Sequence, residues 1–322
     1  MKQKKTGKRK MKKGFRMIGR ILLIAVIAIA VTIFAVIQLG AYRNANYWKS
    51  AKPAGEIEAK YTALGSHAAE HLELDAGDDV CKKYTVYYPS DMKDGETYPL
   101  VVMVNGTGIK ASSYKEVLKH LSSWGFIVFG NEDDNSWSGA STSKTLDDAL
   151  AQNENTESPL YHRIDTDHIG VGGHSQGGVG TINAVTAQEN GSMYKAMWTA
   201  STTFHDLSVL LQWPYDVSKV SIPYMMVAGT NASDAGDGKD NAGIAPLSSL
   251  NENFDAIPDG VPKVMAREKN MDHGDMLRFA DGYMTAWFMY WLQGDEEAGK
   301  AFFGDSAEIL TNPNWQDVRV SR

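Results

Sequence analysis

Ser175 is the residue of this chain best placed to do chemistry, because Gly173-His174-Ser175-Gln176-Gly177 surrounds it with the small residues that a nucleophile-bearing turn requires. The apolar run His168-Ile169-Gly170-Val171-Gly172 leads into the turn and predicts a buried strand, and residues 178–187 lead out as a helix. G-x-S-x-G between a strand and a helix puts a serine hydroxyl on a tight, strained corner. A side chain two positions before or after the serine would collide with the neighbouring strand or helix. Glycine at both positions leaves that space free.

A serine hydroxyl is a weak nucleophile at neutral pH. It needs a base within hydrogen-bond reach, and the base needs a carboxylate to fix its tautomer and stabilise its charge. Behind a turn of this kind the chain order is serine, acid, histidine. His273 is the one histidine after residue 205, in Asn270-Met271-Asp272-His273-Gly274, between a predicted strand and a long predicted helix. The acid should follow the apolar strand at 222–227 by a few residues. Asp234 lies nearest, Asp240 is the alternative, and Asp237 is the weakest of the three. A tetrahedral intermediate also needs N–H donors where its oxyanion forms. Gln176, the residue after the serine, supplies one. Thr107, in the glycine-bearing loop Asn105-Gly106-Thr107-Gly108, is the choice for the second. His174, Trp198 and Phe204 are candidates for lining the substrate cleft.

These residues need a scaffold, and the pattern along the chain predicts one. Residues 83–89 alternate as a strand, and 99–104 form a continuous apolar run of the kind buried on both faces. Helical periodicity covers 113–124, with Val117, Leu118 and Leu121 on one face. Strands follow at 126–129, 169–171, 195–200, 222–227 and 263–267, with helices at 143–151 and 275–292. Alternation in this order gives an α/β fold with a mainly parallel sheet covered by helices on both sides. Such sheets carry their sites at the carboxyl ends of the strands, where Ser175 falls.

The first 20 residues hold ten of the 32 Lys and Arg and no acid, leaving 22 basic against 39 acidic side chains, a net of −17, in the rest. Residues 21–42 are uncharged and dominated by Ile, Leu, Val, Ala and Phe, long enough to cross a hydrocarbon core of about 30 Å as one helix. The basic arm is therefore expected to stay in the cytoplasm, with residues from about 43 onward outside it. The run exceeds an ordinary signal-peptide core, so it reads as an uncleaved transmembrane anchor. The acidic remainder argues against nucleic acid as a partner. Cys81 is the single cysteine, so no intrachain disulfide forms. The organisation read from these features is a basic cytoplasmic N-terminus at 1–20, an anchor at 21–42, a stalk at 43–78 and a catalytic domain at 79–322.

Taken in order, Val102-Met103-Val104-Asn105-Gly106-Thr107-Gly108, Ser123-Trp124-Gly125-Phe126-Ile127-Val128, Gly173-His174-Ser175-Gln176-Gly177-Gly178, Ile222-Pro223 and Asn270-Met271-Asp272-His273 resemble the dienelactone-hydrolase-like α/β-hydrolases over roughly residues 80–300. Within them the chain looks closest to the branch of cutinase-like polyester hydrolases, chlorophyllases and platelet-activating-factor acetylhydrolases. The resemblance implies an α/β-hydrolase fold, Ser175 as nucleophile, His273 as base, an Asp after the 222–227 strand, and oxyanion donors at Gln176 and Thr107. No cofactor is called for. The polyester hydrolases carry their acid in a compact turn, whereas here the stretch is expanded to 231–246, so Asp234 and Asp240 both stay open.

The expectation is a serine carboxylic-ester hydrolase acting on a small-molecule or polymeric ester. The alternatives are a glycan O-deacylase and a catalytically inactive hydrolase fold used as a surface binding module. His67-Ala68-Ala69-Glu70-His71 matches a zinc-protease spacing but has no third ligand in view. The spacing of Asp234, Asp237 and Asp240 does not fit a calcium loop. No metal is assigned. Trp287, Met289, Tyr290 and Trp291 read as core.

Overall fold

The computed structural model describes residues 38–40, 42–237 and 243–322. It divides into two units, Met1–Ser50 and Ala51–Arg322. Of the first, the described residues are helical at 38–40 and 42–45, followed by a turn of 3₁₀ helix, Tyr47–Lys49. The basic arm and nearly all of the apolar run at 21–42 lie outside the described residues. Among the described residues no helix is long and apolar enough to cross a membrane.

The second unit is built on nine strands among the described residues: β1 (Ala69–Asp75), β2 (Lys83–Pro89), β3 (Tyr98–Val104), β4 (Ile127–Asn131), β5 (Ile164–His174), β6 (Tyr194–Ala200), β7 (Tyr224–Gly229), β8 (Lys263–Glu268) and β9 (Trp315–Ser321). They form one sheet in the order β1-β2-β4-β3-β5-β6-β7-β8-β9. From β4 to β8 every neighbouring pair is parallel, while β1, β2 and β9 add antiparallel edges. The longer helices are α1 (Glu56–Thr62), α2 (Lys115–Ser123), α3 (Ala140–Glu154), α4 (Gln176–Thr186), α5 (Leu247–Ala256) and α6 (Asp281–Gln293). Leu146, Val179, Ile182 and Phe254 from α3, α4 and α5 pack on Val102, Val104 and Val171. On the other face α6 lies across β5 and β6, and α2 across β2 and β4. β3 is buried along its whole length, the physical reason for its unbroken apolar run.

Residues 56–75 correct the stalk assignment. They form α1 and β1 and belong to the same compact unit as the sheet. The Glu308 carboxylate accepts from the N–H groups of Ile57 (2.7 Å) and Glu58 (2.9 Å), satisfying the open end of α1. The buried Glu58 carboxylate accepts from Trp315 Nε1 (2.7 Å) and Asn312 Nδ2 (2.8 Å). At the other end of α1, the His120 imidazole faces the carbonyls of Thr62 and Ala63 through Nε2 and the Asp281 carboxylate, 2.8 Å away, through Nδ1. Burial opposes charge on His120, but Asp281 and the two carbonyls outweigh it and raise its pKa. β1 alternates polar and half-exposed residues along the sheet edge, where charged side chains discourage pairing with another chain.

Candidate active site

β5 delivers Ser175, the candidate nucleophile. Its carboxyl end runs into Ser175, whose φ of 60° and ψ of −124° lie outside the regions ordinary residues occupy, and α4 starts at the next residue. A Cβ on Gly173 would stand 2.3 Å from the carbonyl oxygen of Gly177, and one on Gly177 would stand 2.3 Å from that of Val104. The corner is this tight because strand and helix are packed almost in contact. The Ser175 N–H donates to Ala200 O at 2.9 Å, which ties the turn to the end of β6.

β7 and β8 deliver the other two side chains. Asp234 lies in the short helix Ala232–Ala235 after β7 and is fully buried. Its Oδ1 is 2.7 Å from His273 Nδ1. Its Oδ2 accepts from Gly229 N (2.7 Å) and Ser201 Oγ (2.5 Å). His273 sits in the loop after β8, and that loop is fastened to the acid's loop. Asn231 N donates to Met271 O (3.0 Å), Asn231 Nδ2 to Asn270 O (2.9 Å) and Ser233 N to Asp272 Oδ1 (3.1 Å). The N–H groups of His273 and Ser233 hold the Asp272 carboxyl below its ordinary value. Asp240, the alternative acid, lies outside the described residues. Asp237 is exposed.

His174 does more here than line a cleft. Its ring packs against that of His273 with centroids 4.6 Å apart, and its Nε2–H donates to the His273 carbonyl at 2.7 Å. Desolvation, with His273 beside it, pushes the His174 pKa down to about 4. It is therefore neutral at pH 7 and carries its proton on Nε2. The residue preceding the nucleophile thus holds the backbone of the histidine loop. Nothing local in the sequence signals this, because the contact spans 99 residues.

The two N–H donors expected at an oxyanion site are both open. Gln176 is the first residue of α4, and Thr107 is exposed in the loop after β3. Among the described residues neither backbone N–H has an acceptor. Gly106 brings that loop behind the nucleophile, since a Cβ there would lie 3.5 Å from Ser175 Cβ. Buried Asn105 braces the loop. Its Nδ2 donates to Asn131 O (2.8 Å) and Asp133 O (2.7 Å), and its Oδ1 accepts from Tyr114 OH (2.5 Å).

Trp198 is a correction. It is fully enclosed in β6, with 0% of its surface exposed, and is a core residue with no face toward a cleft. Phe204 is half-buried just before the helix His205–Leu210, and its N–H donates to Ile244 O at 2.9 Å, beside the acid's loop. The H-x-x-E-H stretch is not helical. His71 lies on β1, stacked on Tyr87, and His67 pairs with Asp91. His67 precedes the strand, so the two histidines do not share one face of a helix as the zinc-protease spacing requires. Trp287 and Met289 are buried in α6.

A sheet in this order, with its serine on a strained strand–helix corner and a buried carboxylate–imidazole pair on the next loops, defines an α/β-hydrolase. The comparison with protein families narrows that class. Residues 62–296 match the PET hydrolase-like family, and the chain belongs to it. It is also 31% identical over 201 residues to a bis(hydroxyethyl) terephthalate hydrolase of Streptomyces coelicolor, a match covering 59% of this chain and 54% of that protein. The chain thus spans about half the length of this relative. The resemblance read from the motifs points to the same polyester-hydrolase branch.

Proposed function

We propose that the protein is a serine carboxylic-ester hydrolase working through Ser175, His273 and Asp234. The observation that carries the reading is the buried Asp234 carboxylate, 2.7 Å from Nδ1 of a histidine whose loop is held by the residue next to Ser175. The Asp234 Oδ1 contact keeps the His273 proton on Nδ1 and leaves Nε2 as the base. Ser175 Oγ attacks the ester carbonyl carbon while His273 Nε2 takes the hydroxyl proton. The carbonyl oxygen becomes an oxyanion facing the N–H groups of Gln176 and Thr107. As the tetrahedral species collapses, the ester C–O bond breaks and His273 returns the proton to the leaving alcohol. A water, deprotonated by His273, then attacks the acyl-Ser175 carbonyl. The carboxylic acid departs and Ser175 regains its proton. The relative's substrate, a hydroxyethyl ester of an aromatic acid, is the first candidate here. We place the reaction outside the cytoplasmic membrane, with residues 21–42 as a single-pass anchor and the basic 1–20 arm inside. The charge asymmetry of the sequence supports that orientation.

The test is hydrolysis of p-nitrophenyl acetate, butyrate and octanoate and of bis(hydroxyethyl) terephthalate by the purified full chain, beside Ser175→Ala. In parallel, a fluorophosphonate is mapped on the wild-type chain by mass spectrometry. Turnover confined to the wild type and a phosphonate on Ser175 are expected. Equal turnover by both proteins, or label on another residue, sinks the assignment.

A further inference from the structure

Ser201 is held in a conformation that its backbone alone gives no reason to prefer. It follows β6 directly, is completely buried, and has a φ of 49°. That is the left-handed region, where glycine is at ease and a residue with a Cβ is strained. Its N–H donates to Val227 O at 2.7 Å, extending the β6–β7 pairing around the corner. A glycine would serve every one of these backbone demands. What glycine would not supply is the hydroxyl, and that hydroxyl donates to Asp234 Oδ2 at 2.5 Å.

We infer that Ser201 is a positioning residue for the catalytic carboxylate, the side chain that decides which Asp234 oxygen meets His273. The inference rests on the hydrolase reading above. Gly229 N–H and Ser201 Oγ–H converge on Oδ2, which leaves Oδ1 to face His273 Nδ1. With both donors in place the carboxylate cannot turn about its Cβ–Cγ bond without losing them. The neighbouring residue completes the arrangement: Ala200 O accepts from the Ser175 N–H. Two consecutive residues at the end of β6 therefore set the nucleophile's backbone and the acid's side chain in one frame. The titratable and charged groups around this carboxylate are His273, His174 behind it, Asp272 on the histidine loop and, farther out, Arg278.

Ser201→Ala and Ser201→Gly test the inference together. Both remove the hydroxyl, and only the glycine relieves the strained φ. Without the Ser201 donor the Asp234 charge is less neutralised and holds the protonated imidazole more firmly. In both variants kcat should fall about tenfold with KM within twofold of wild type, and the acid limb of kcat/KM should move up by roughly half a pH unit. The low-field proton resonance of His273 Nδ1–H, which needs no turnover to be observed, should shift in both. Ser201→Gly should melt no lower than wild type. If the resonance and the acid limb stay at their wild-type positions in both variants, Ser201 is a corner residue only and the inference falls, with the Ser175 assignment untouched. If Ser175-dependent turnover is absent in the wild type, the hydrolase reading fails. The resonance alone then judges whether Ser201 sets the Asp234–His273 contact, and an unmoved resonance overturns it.

Discussion

Asp234→Asn should lower kcat about 10⁴-fold with KM changed by no more than a few-fold. The two side chains have nearly the same shape, so the buried site is not emptied. The amide oxygen can still accept from Gly229 N–H and Ser201 Oγ, the two donors that converge on Oδ2 in the native chain. The amide nitrogen then faces His273 Nδ1, now donor against donor unless the imidazole gives up the proton there. The ring responds by carrying its proton on Nε2, the atom that has to accept from Ser175. The enzyme keeps its fold and loses its base. Steady-state kinetics with a p-nitrophenyl ester, beside a thermal melt within a few degrees of wild type, reads this directly. A loss smaller than tenfold would remove Asp234 from the triad and hand the role to the stretch that carries Asp240.

That last ambiguity shows where the sequence stopped being legible. The corner at Ser175 was readable because its constraints are local: two glycines and an apolar run are what a tight strand–helix corner demands, and a Cβ added to Gly173 or Gly177 would stand 2.3 Å from a backbone oxygen. His273 was singled out by chain order, and the structure sets it against Asp234. The acid stayed open between Asp234 and Asp240, because the stretch 231–246 carries several aspartates and no local pattern ranks them; what the fold adds is Asp234 Oδ1 at 2.7 Å from His273 Nδ1. Trp198 was misread because β6 is buried at every position from Ala196 to Ala200, and an unbroken burial pattern carries no periodicity to separate core from cleft. The stalk was misread for a related reason. α1 has seven residues and little helical signal of its own, and its docking depends on Glu308, Asn312 and Trp315, some 250 positions away. Ser201 gave no signal at all, since nothing in a serine announces a positive φ.

Glu268 yields the largest expected effect on stability. It ends β8, five residues before His273, and is 4% exposed, with its Oε2 lacking any partner among the described residues. Burial, with Glu58 and Asp275 nearby, pushes its pKa up to about 8 from an ordinary 4.5. At pH 7 the folded protein therefore holds a proton on this carboxyl that the unfolded chain has released. Between about 4.5 and about 8 the native state binds more protons than the unfolded one, so this group's contribution to stability falls as pH rises through that window and levels off above it. A window of this width corresponds to about 5 kcal/mol. Glu268→Gln keeps the shape and abolishes the titration. Urea unfolding at pH 5 and pH 8.5 should show the wild type losing stability between the two, and the variant losing less by that order. Identical losses in both proteins would mean that Glu268 is ionised in the native state and that its charge is compensated. The functional consequence lies in the same strand. Ionising a buried carboxyl at the end of β8 strains the segment that carries His273, so above pH 8 activity should decline in the wild type before it does in Glu268→Gln.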